Sequence, residues 1–192
     1  MHILLVMAHP AGPSLTCSVA SAILDAGTAL GHSVELVDLV AEGFDPVFGP
    51  ADHAAFTAAG PTPPDVRREQ QRIDRADHLV LVHPVYWWSM PAVLKGWIDR
   101  VFVSGWAFEE NADGRIVKKL GRLNVHLIAL AGASAATYAK HGYRDAMRAQ
   151  IDHGIFDFCG APVVTSELID GQMEDLASVP SKVASLIDRH LA

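Results

Sequence analysis

The sequence predicts an α/β fold in which a five-stranded parallel sheet is covered by helices on both faces. Short, almost continuous apolar runs occur five times, as strands buried on both sides require. Segments with helical spacing stand between them, so strand and helix alternate along the chain. The length of 192 residues and the 50% apolar content fit one domain, residues 1–192, able to bury roughly 70% of the surface its unfolded chain exposes.

Taken in order, Ile3 to Met7 is the first strand. Ser18 to Leu30 follows as a helix carrying Val19, Ala22, Ile23 and Ala26 at helical spacing, and Gly31 ends it. Val34 to Val37 is the second strand. Ala41 to Gly60 has weak periodicity and gives only an approximate helix, while Gly60-Pro61-Thr62-Pro63-Pro64 forms a rigid surface loop. A helix near Asp65 to Ala76 leads into the third strand, Leu79 to Val82, and another over Pro91 to Val101 leads out of it. Val125 to Leu130 is the fourth strand, Tyr143 to Phe158 a long helix, Val163 to Leu168 the fifth strand, and Ser181 to His190 a last helix. No internal repeat or linker interrupts this series.

Composition excludes several functions. A net charge of −7 argues against phosphate-backbone binding, so no nucleic-acid partner is expected. No apolar stretch approaches the ~20 residues that span a bilayer, and no membrane insertion is expected. Met1 to Val6 enters a strand pattern directly, without a basic leader or cleavage site, so the expected location is cytoplasmic. Cys17 and Cys159 sit in helical or apolar patterns and read as small hydrophobes. The ten histidines are scattered, with none paired at helical spacing, so no metal site is expected. There is no phosphate-binding G-x-x-x-x-G-K-[ST] loop and no G-x-G-x-x-G after the first strand. Gly132-Ala133-Ser134-Ala135-Ala136 lacks the second glycine of a nucleophile elbow.

Ligands of open parallel sheets sit outside the carboxyl ends of the strands, where the strand order reverses. This chain places its unusual residues there. His9 to Thr16 follows the first strand, with Ser14 and Thr16 at a helix start whose free N–H groups and dipole suit an anion. Ser14 would serve equally as a plain helix cap. After the third strand come Tyr86, Trp87 and Trp88 in a proline-flanked loop. Exposed rings there fit a flat ligand, a dimer contact or a local apolar plug. After the fourth strand, Ala131, Gly132 and Ala133 allow close backbone approach, and Tyr138, His141 and Arg144 stand just beyond. Tyr138 could also be a core aromatic.

Three segments, Leu4-Leu5-Val6-Met7-Ala8-His9-Pro10 with Ser14-Leu15-Thr16, Pro84 through Trp97, and Phe158-Cys159-Gly160, resemble the NAD(P)H:quinone oxidoreductases, the DT-diaphorase-like branch of the flavodoxin-like fold. The resemblance covers about residues 1 to 170. It implies a three-layer sandwich with strand order 2-1-3-4-5, a flavin (FAD slightly ahead of FMN), NAD(P)H as co-substrate, and a quinone or similar acceptor. His9, Ser14, Leu15 and Thr16 would hold the flavin phosphates. Pro84, Val85, Tyr86, Trp87 and Trp88 would flank the flavin ring, largely through backbone amides. Ala131, Gly132 and Ala133 stand where the family has Thr-Gly-Gly. Tyr138 matches an active-site tyrosine, but the histidine often found six residues later is Arg144 here, and His141 is a replacement by proximity. Phe108 matches a position that caps the partner subunit's substrate pocket, and the aromatic area of Trp87, Trp88, Trp106 and Phe108 suggests a homodimer. Hydride would pass from NAD(P)H through the flavin to the acceptor in a ping-pong cycle. Two alternatives from other classes are a flavin-binding regulatory subunit that docks on a membrane transporter, and an electron carrier.

Overall fold

The computed structural model describes residues 1–10, 12–172 and 175–190, so Ala11 of the first strand-end loop lies outside it. The strands are β1 (His2–Met7), β2 (Ser33–Asp38), β3 (His78–Pro84), β4 (Phe108–Glu110), β5 (Ile116–Lys118), β6 (Asn124–Ala131) and β7 (Val163–Asp170). The helices are α1 (Leu15–Ala29), α2 (Pro50–Phe56), α3 (Pro64–Arg75), α4 (Ala92–Val101), α5 (Ala135–His141), α6 (Tyr143–Met147) and α7 (Val179–Asp188). Five strands form one sheet in the order β2-β1-β3-β6-β7, every pair parallel. Counting only these five, the order is the expected 2-1-3-4-5. No described helix is long and apolar enough to cross a membrane.

The pleat explains the layering. Ile3 to Val6 and Leu79 to Val82 are 0% exposed, because successive side chains feed opposite faces and both faces are covered. Leu4, Val6, Leu79 and Leu81 join Val66 and Ile73 of α3 and Leu94 and Trp97 of α4. Ile3, Leu5, Val80 and Val82 join Val19 and Ile23 of α1 and Val183 and Ile187 of α7. The helices that follow the adjacent strands β1 and β3 therefore lie on opposite sides of the sheet. A crevice opens between their connections.

Buried polar groups fix α4, the helix that follows the aromatic loop. Trp97 Nε1 donates to Glu69 (3.1 Å), and Gln70 Nε2 donates to the Val101 carbonyl (3.1 Å). Arg100 donates to Asp52 (2.9 Å), Asp65 (2.7 Å) and the Asp45 carbonyl (2.8 Å). Gly96 is needed where the 44–46 segment crosses the helix, since a Cβ there would stand 2.2 Å from the Pro46 carbonyl oxygen. This crossing explains why residues 41–60 hold only the short helix α2: Pro46 and its neighbours are pinned against α4 without regular structure.

Three further expectations need correction. Helix α1 begins at Leu15, three residues before Ser18, because Ser14 caps it. The long helix placed over Tyr143 to Phe158 is preceded by an unexpected one, α5. Gly142, at φ 69°, separates the two, and the later helix widens to π-type winding over Arg148–Asp157. The β4–β5 hairpin was also unexpected, since its strands are three residues each and mostly exposed, leaving no apolar alternation to read.

At the amino ends of the sheet strands a buried polar chain crosses three of them. His78 Nδ1 lies 3.0 Å from His126 Nε2, and His126 Nδ1 lies 3.0 Å from the Thr165 hydroxyl. Burial foremost, then the neighbouring His78 and His190, push the His126 pKa from 6.5 down to about 3. The unfolded chain therefore takes up a proton near pH 6.5 that the fold refuses until about pH 3. The stability given by the neutral ring is complete above pH 6.5 and lost as pH falls toward 3. Burial lowers His78 and His83 in the same sense, His83 to about 4. Urea titrations from pH 7 to 4 should show a falling unfolding free energy, with a shallower slope in His126→Asn. Equal slopes would mean that His126 is not the acid-sensitive group.

Candidate functional site

Three connections meet at the carboxyl edge of the sheet. The one after β1 carries His9, half-buried, and Ser14, whose hydroxyl accepts the Cys17 N–H at 3.2 Å. Leu15 packs into the α1 side of the core and Thr16 is 3% exposed. The N–H groups of Leu15 and Thr16, the first of α1, meet no acceptor among the described residues. A helix start with unengaged N–H groups is an anion site in waiting.

The connection after β3 is a tight turn made of tryptophans. Tyr86 and Ser89 exchange two backbone hydrogen bonds (3.0 and 3.1 Å), and between them Trp87 and Trp88 have φ of 48° and 61°. Two left-handed residues in succession make a primed turn, a shape normally left to Asn-Gly. Each such residue costs about 1–2 kcal/mol. The turn is anchored behind by the Val85 N–H to the Leu130 carbonyl at 2.9 Å, which extends the β3–β6 ladder. Trp88 stacks face to face on Tyr143 (3.9 Å between centroids, 15°) and meets Tyr138 edge-on at 5.3 Å. Trp87 is 91% exposed. The N–H groups of Trp87 and Trp88 meet no acceptor among the described residues.

The connection after β6 supplies the floor. Ala131, Gly132 and Ala133 run into α5, capped by Ser134, and α5 carries Tyr138, which is 2% exposed. Burial alone raises the Tyr138 pKa above its usual 10.0, so its hydroxyl keeps its proton at neutral pH. Val85, Trp87, Trp88, Gly132, Ala133 and Tyr138 enclose a cleft of about 160 Å³. Ala133 and Tyr138 also line an adjoining chamber of about 410 Å³, together with Ala131, Arg144, Leu168 and Asp170. A larger hollow, about 770 Å³, lies along the outer edge of β7 against His153, Leu186 and His190. None of the three connections lines it, so its size does not make it the functional site.

Most of the expected residues converge here. Val85, Trp87, Trp88, Gly132, Ala133 and Tyr138 share the cleft, and Ala131 and Arg144 line the adjoining chamber. Pro84 closes β3 and Tyr86 opens the tryptophan turn. His141 stands apart: it is exposed and stacks on Tyr143 at 5.3 Å. Phe108 meets Phe158 edge-on at 5.0 Å over a separate hollow with Ile98 and Phe102. Trp106 belongs to its own chain's core, packed on Phe102 and donating to Asp74 at 3.3 Å. Two residues went unread: Tyr143, whose only signal was its place after Gly142, and Asp170, which nothing in the sequence connects to the floor.

A family model described as the flavodoxin-like fold matches residues 1–191. The chain is 29% identical over 189 residues to the ribosyldihydronicotinamide dehydrogenase [quinone] of Pongo abelii, covering 86% of this chain and 80% of the relative. It is 34% identical over 142 residues to YcaK of Escherichia coli (strain K12), an uncharacterized NAD(P)H oxidoreductase, covering 73% of this chain and 69% of the relative. Among solved structures, an NAD(P)H:quinone oxidoreductase from Methanothermobacter marburgensis superposes with a TM-score of 0.89 at 26% identity, covering 100% of this chain and 99% of that one.

The left-handed turn yields a test of stored strain. Trp87 buries little, so Trp87→Gly removes a backbone penalty without removing core packing. After the entropy cost of glycine, urea unfolding of the free protein should show a gain of about 0.5–1 kcal/mol. A loss of more than 1 kcal/mol would show that the Trp87 ring, and not the backbone, shapes the turn.

Proposed function

The chain belongs to the family of the flavodoxin-like fold, and from that premise we propose that it is a flavin-dependent NAD(P)H:quinone oxidoreductase. The observation that carries the proposal is the cleft between the tryptophan turn and the small-residue floor, at the reversal of strand order. One wall offers aromatic surface and unengaged N–H groups, and the other offers backbone close enough to meet a flat ring. The residues present fit a flavin on this test. Unengaged donors on two connections match a ligand with carbonyl oxygens at one end and phosphate at the other.

In this reading Ser14, Leu15 and Thr16, with His9 beside them, would hold the phosphate end through the first turn of α1. Val85, Trp87 and Trp88 would hold the ring from one side, and Ala131, Gly132 and Ala133 from the other. A flavin, when bound, supplies the two-electron redox chemistry. The protein orients the ring, shields it from water and compensates charge with fixed dipoles. Tyr138, kept protonated by burial, donates a hydrogen bond toward that charge. Arg144, which lines the same chamber as Tyr138, would add a cation nearby; His141 does not line that chamber. NAD(P)H and a quinone then take turns in one opening above the floor. FAD is proposed ahead of FMN on the resemblance alone.

We also propose a homodimer in which the exposed side of the cleft meets a second copy. Trp87, Tyr86 and Phe158 are exposed, and an apolar surface of this kind commonly marks an interface. Phe108 lies at a hollow separate from its own cleft and, in this reading, would serve the neighbour's.

Four measurements test these readings. Purified protein should carry or take up flavin, identified as FAD or FMN by chromatography, and reduce quinones with NAD(P)H along parallel double-reciprocal lines. A protein that takes up neither flavin would contradict the assignment. Light scattering at micromolar concentration should give a dimer, and Phe108→Ala should raise KM for nicotinamide or quinone with flavin retained. A fully active monomer would overturn the shared site.

A further inference from the structure

The floor of the cleft is fastened from outside, by the segment that leaves β7. Asp170, the last residue of that strand, accepts the Ala135 N–H through Oδ2 at 2.9 Å and the Gln172 N–H through Oδ1 at 2.8 Å. Gly171 lies flat on the floor itself, for a Cβ there would stand 2.0 Å from the Ala131 carbonyl oxygen. Gln172 Nε2 reaches the Gly132 carbonyl at 3.5 Å. Three successive residues thus hold Ala131, Gly132 and Ala135.

Helix α5 needs such an anchor. It has seven residues, too few to keep its own shape, and its internal cap is a long bond, 3.4 Å from the Thr137 N–H to Ser134 Oγ. Ala135 is its first residue, one turn before Tyr138. A carboxylate at that end also meets the favourable side of the helix dipole. The two backbone N–H groups hold the Asp170 carboxyl below the usual carboxylate range, so it is charged wherever the protein is folded near neutral pH.

We propose that Asp170 is the positioning residue of the cleft: through Ala135 it fixes Tyr138, and beyond it Tyr143, against Trp88, and so sets the affinity for a flat ligand. The inference rests on reading the cleft as the ring site. Among the described residues Asp170 meets only backbone N–H groups, and its influence is on where the rings stand.

Asp170→Ala and Asp170→Asn test this. Asparagine offers one acceptor and one donor end, so it keeps at most one of the two bonds and should give an intermediate effect. In the flavin-free protein, near-UV circular dichroism should lose the signal of the Trp88–Tyr143 stack in Asp170→Ala, with the far-UV spectrum retained. Titration with FAD and with FMN should show Kd raised roughly tenfold, the scale of one lost charge-assisted bond. KM for NAD(P)H should rise more than kcat falls. If Asp170→Ala does not fold, the same readings in Asp170→Asn decide. Native near-UV signal and native flavin affinity in the folded variant would overturn the proposal, even if its Tm were lower. If the unaltered chain binds no flavin, the flavin reading fails on its own, and the near-UV comparison still judges the anchor.

Discussion

The parallel ladder of β1, β3 and β6 is the constraint on which the remaining structure depends. Because these strands run the same way and their side chains are buried on both faces, every connection that leaves them emerges at one edge. The helices after β1 and β3 then take opposite faces, leaving a gap that no side chain of the core fills. The Val85 N–H to Leu130 carbonyl bond (2.9 Å) carries the ladder one residue past the strands. It delivers the tryptophan turn directly above the Ala131–Ala133 floor. A slip of one residue in this register would exchange the two faces of β3 and leave no cleft.

The strain in the turn is tolerable because both flanks are immobile. On one side stands the β3–β6 ladder. On the other stands α4, locked by Arg100 to Asp52 and Asp65, by Trp97 to Glu69 and by the close crossing of Pro46 over Gly96. Left-handed tryptophans persist only when their surroundings overdetermine them. Here both tryptophans line the cleft, and their N–H groups meet no acceptor among the described residues. The two ends of the sheet thus divide the polar work. The amino end hides a histidine chain that serves the fold, and the carboxyl end leaves donors open for a ligand.

The legible and illegible parts of the sequence differ for physical reasons. Uninterrupted apolar runs such as Leu4-Leu5-Val6 and Leu79-Val80-Leu81-Val82, short and separated by segments of helical spacing, fit strands buried on both faces, so the sheet and its helices could be read. The place of Trp87 and Trp88 at a strand end was equally clear. Their backbone was not, because no residue preference points a tryptophan toward positive φ. Helix α5 escaped notice because seven residues give periodicity too little to show. Its break at Gly142 is also what separates His141, left exposed, from Arg144, which returns to the chamber beside Tyr138. Asp170 could not be read at all: its bond to Ala135 spans 35 residues of sequence and depends on β7 pairing beside β6.

The central claim is that a flavin ring rests between the tryptophan turn and the Ala131–Ala133 floor, with its phosphate end at the start of α1. A crystal structure of the protein grown with FAD or FMN tests it most directly. One flavin per chain is expected in that cleft, its ring against Trp87 or Trp88 and its phosphate on the N–H groups of Leu15 and Thr16. A flavin lodged instead in the hollow beside β7, or a cleft that stays empty at saturating flavin, would contradict it.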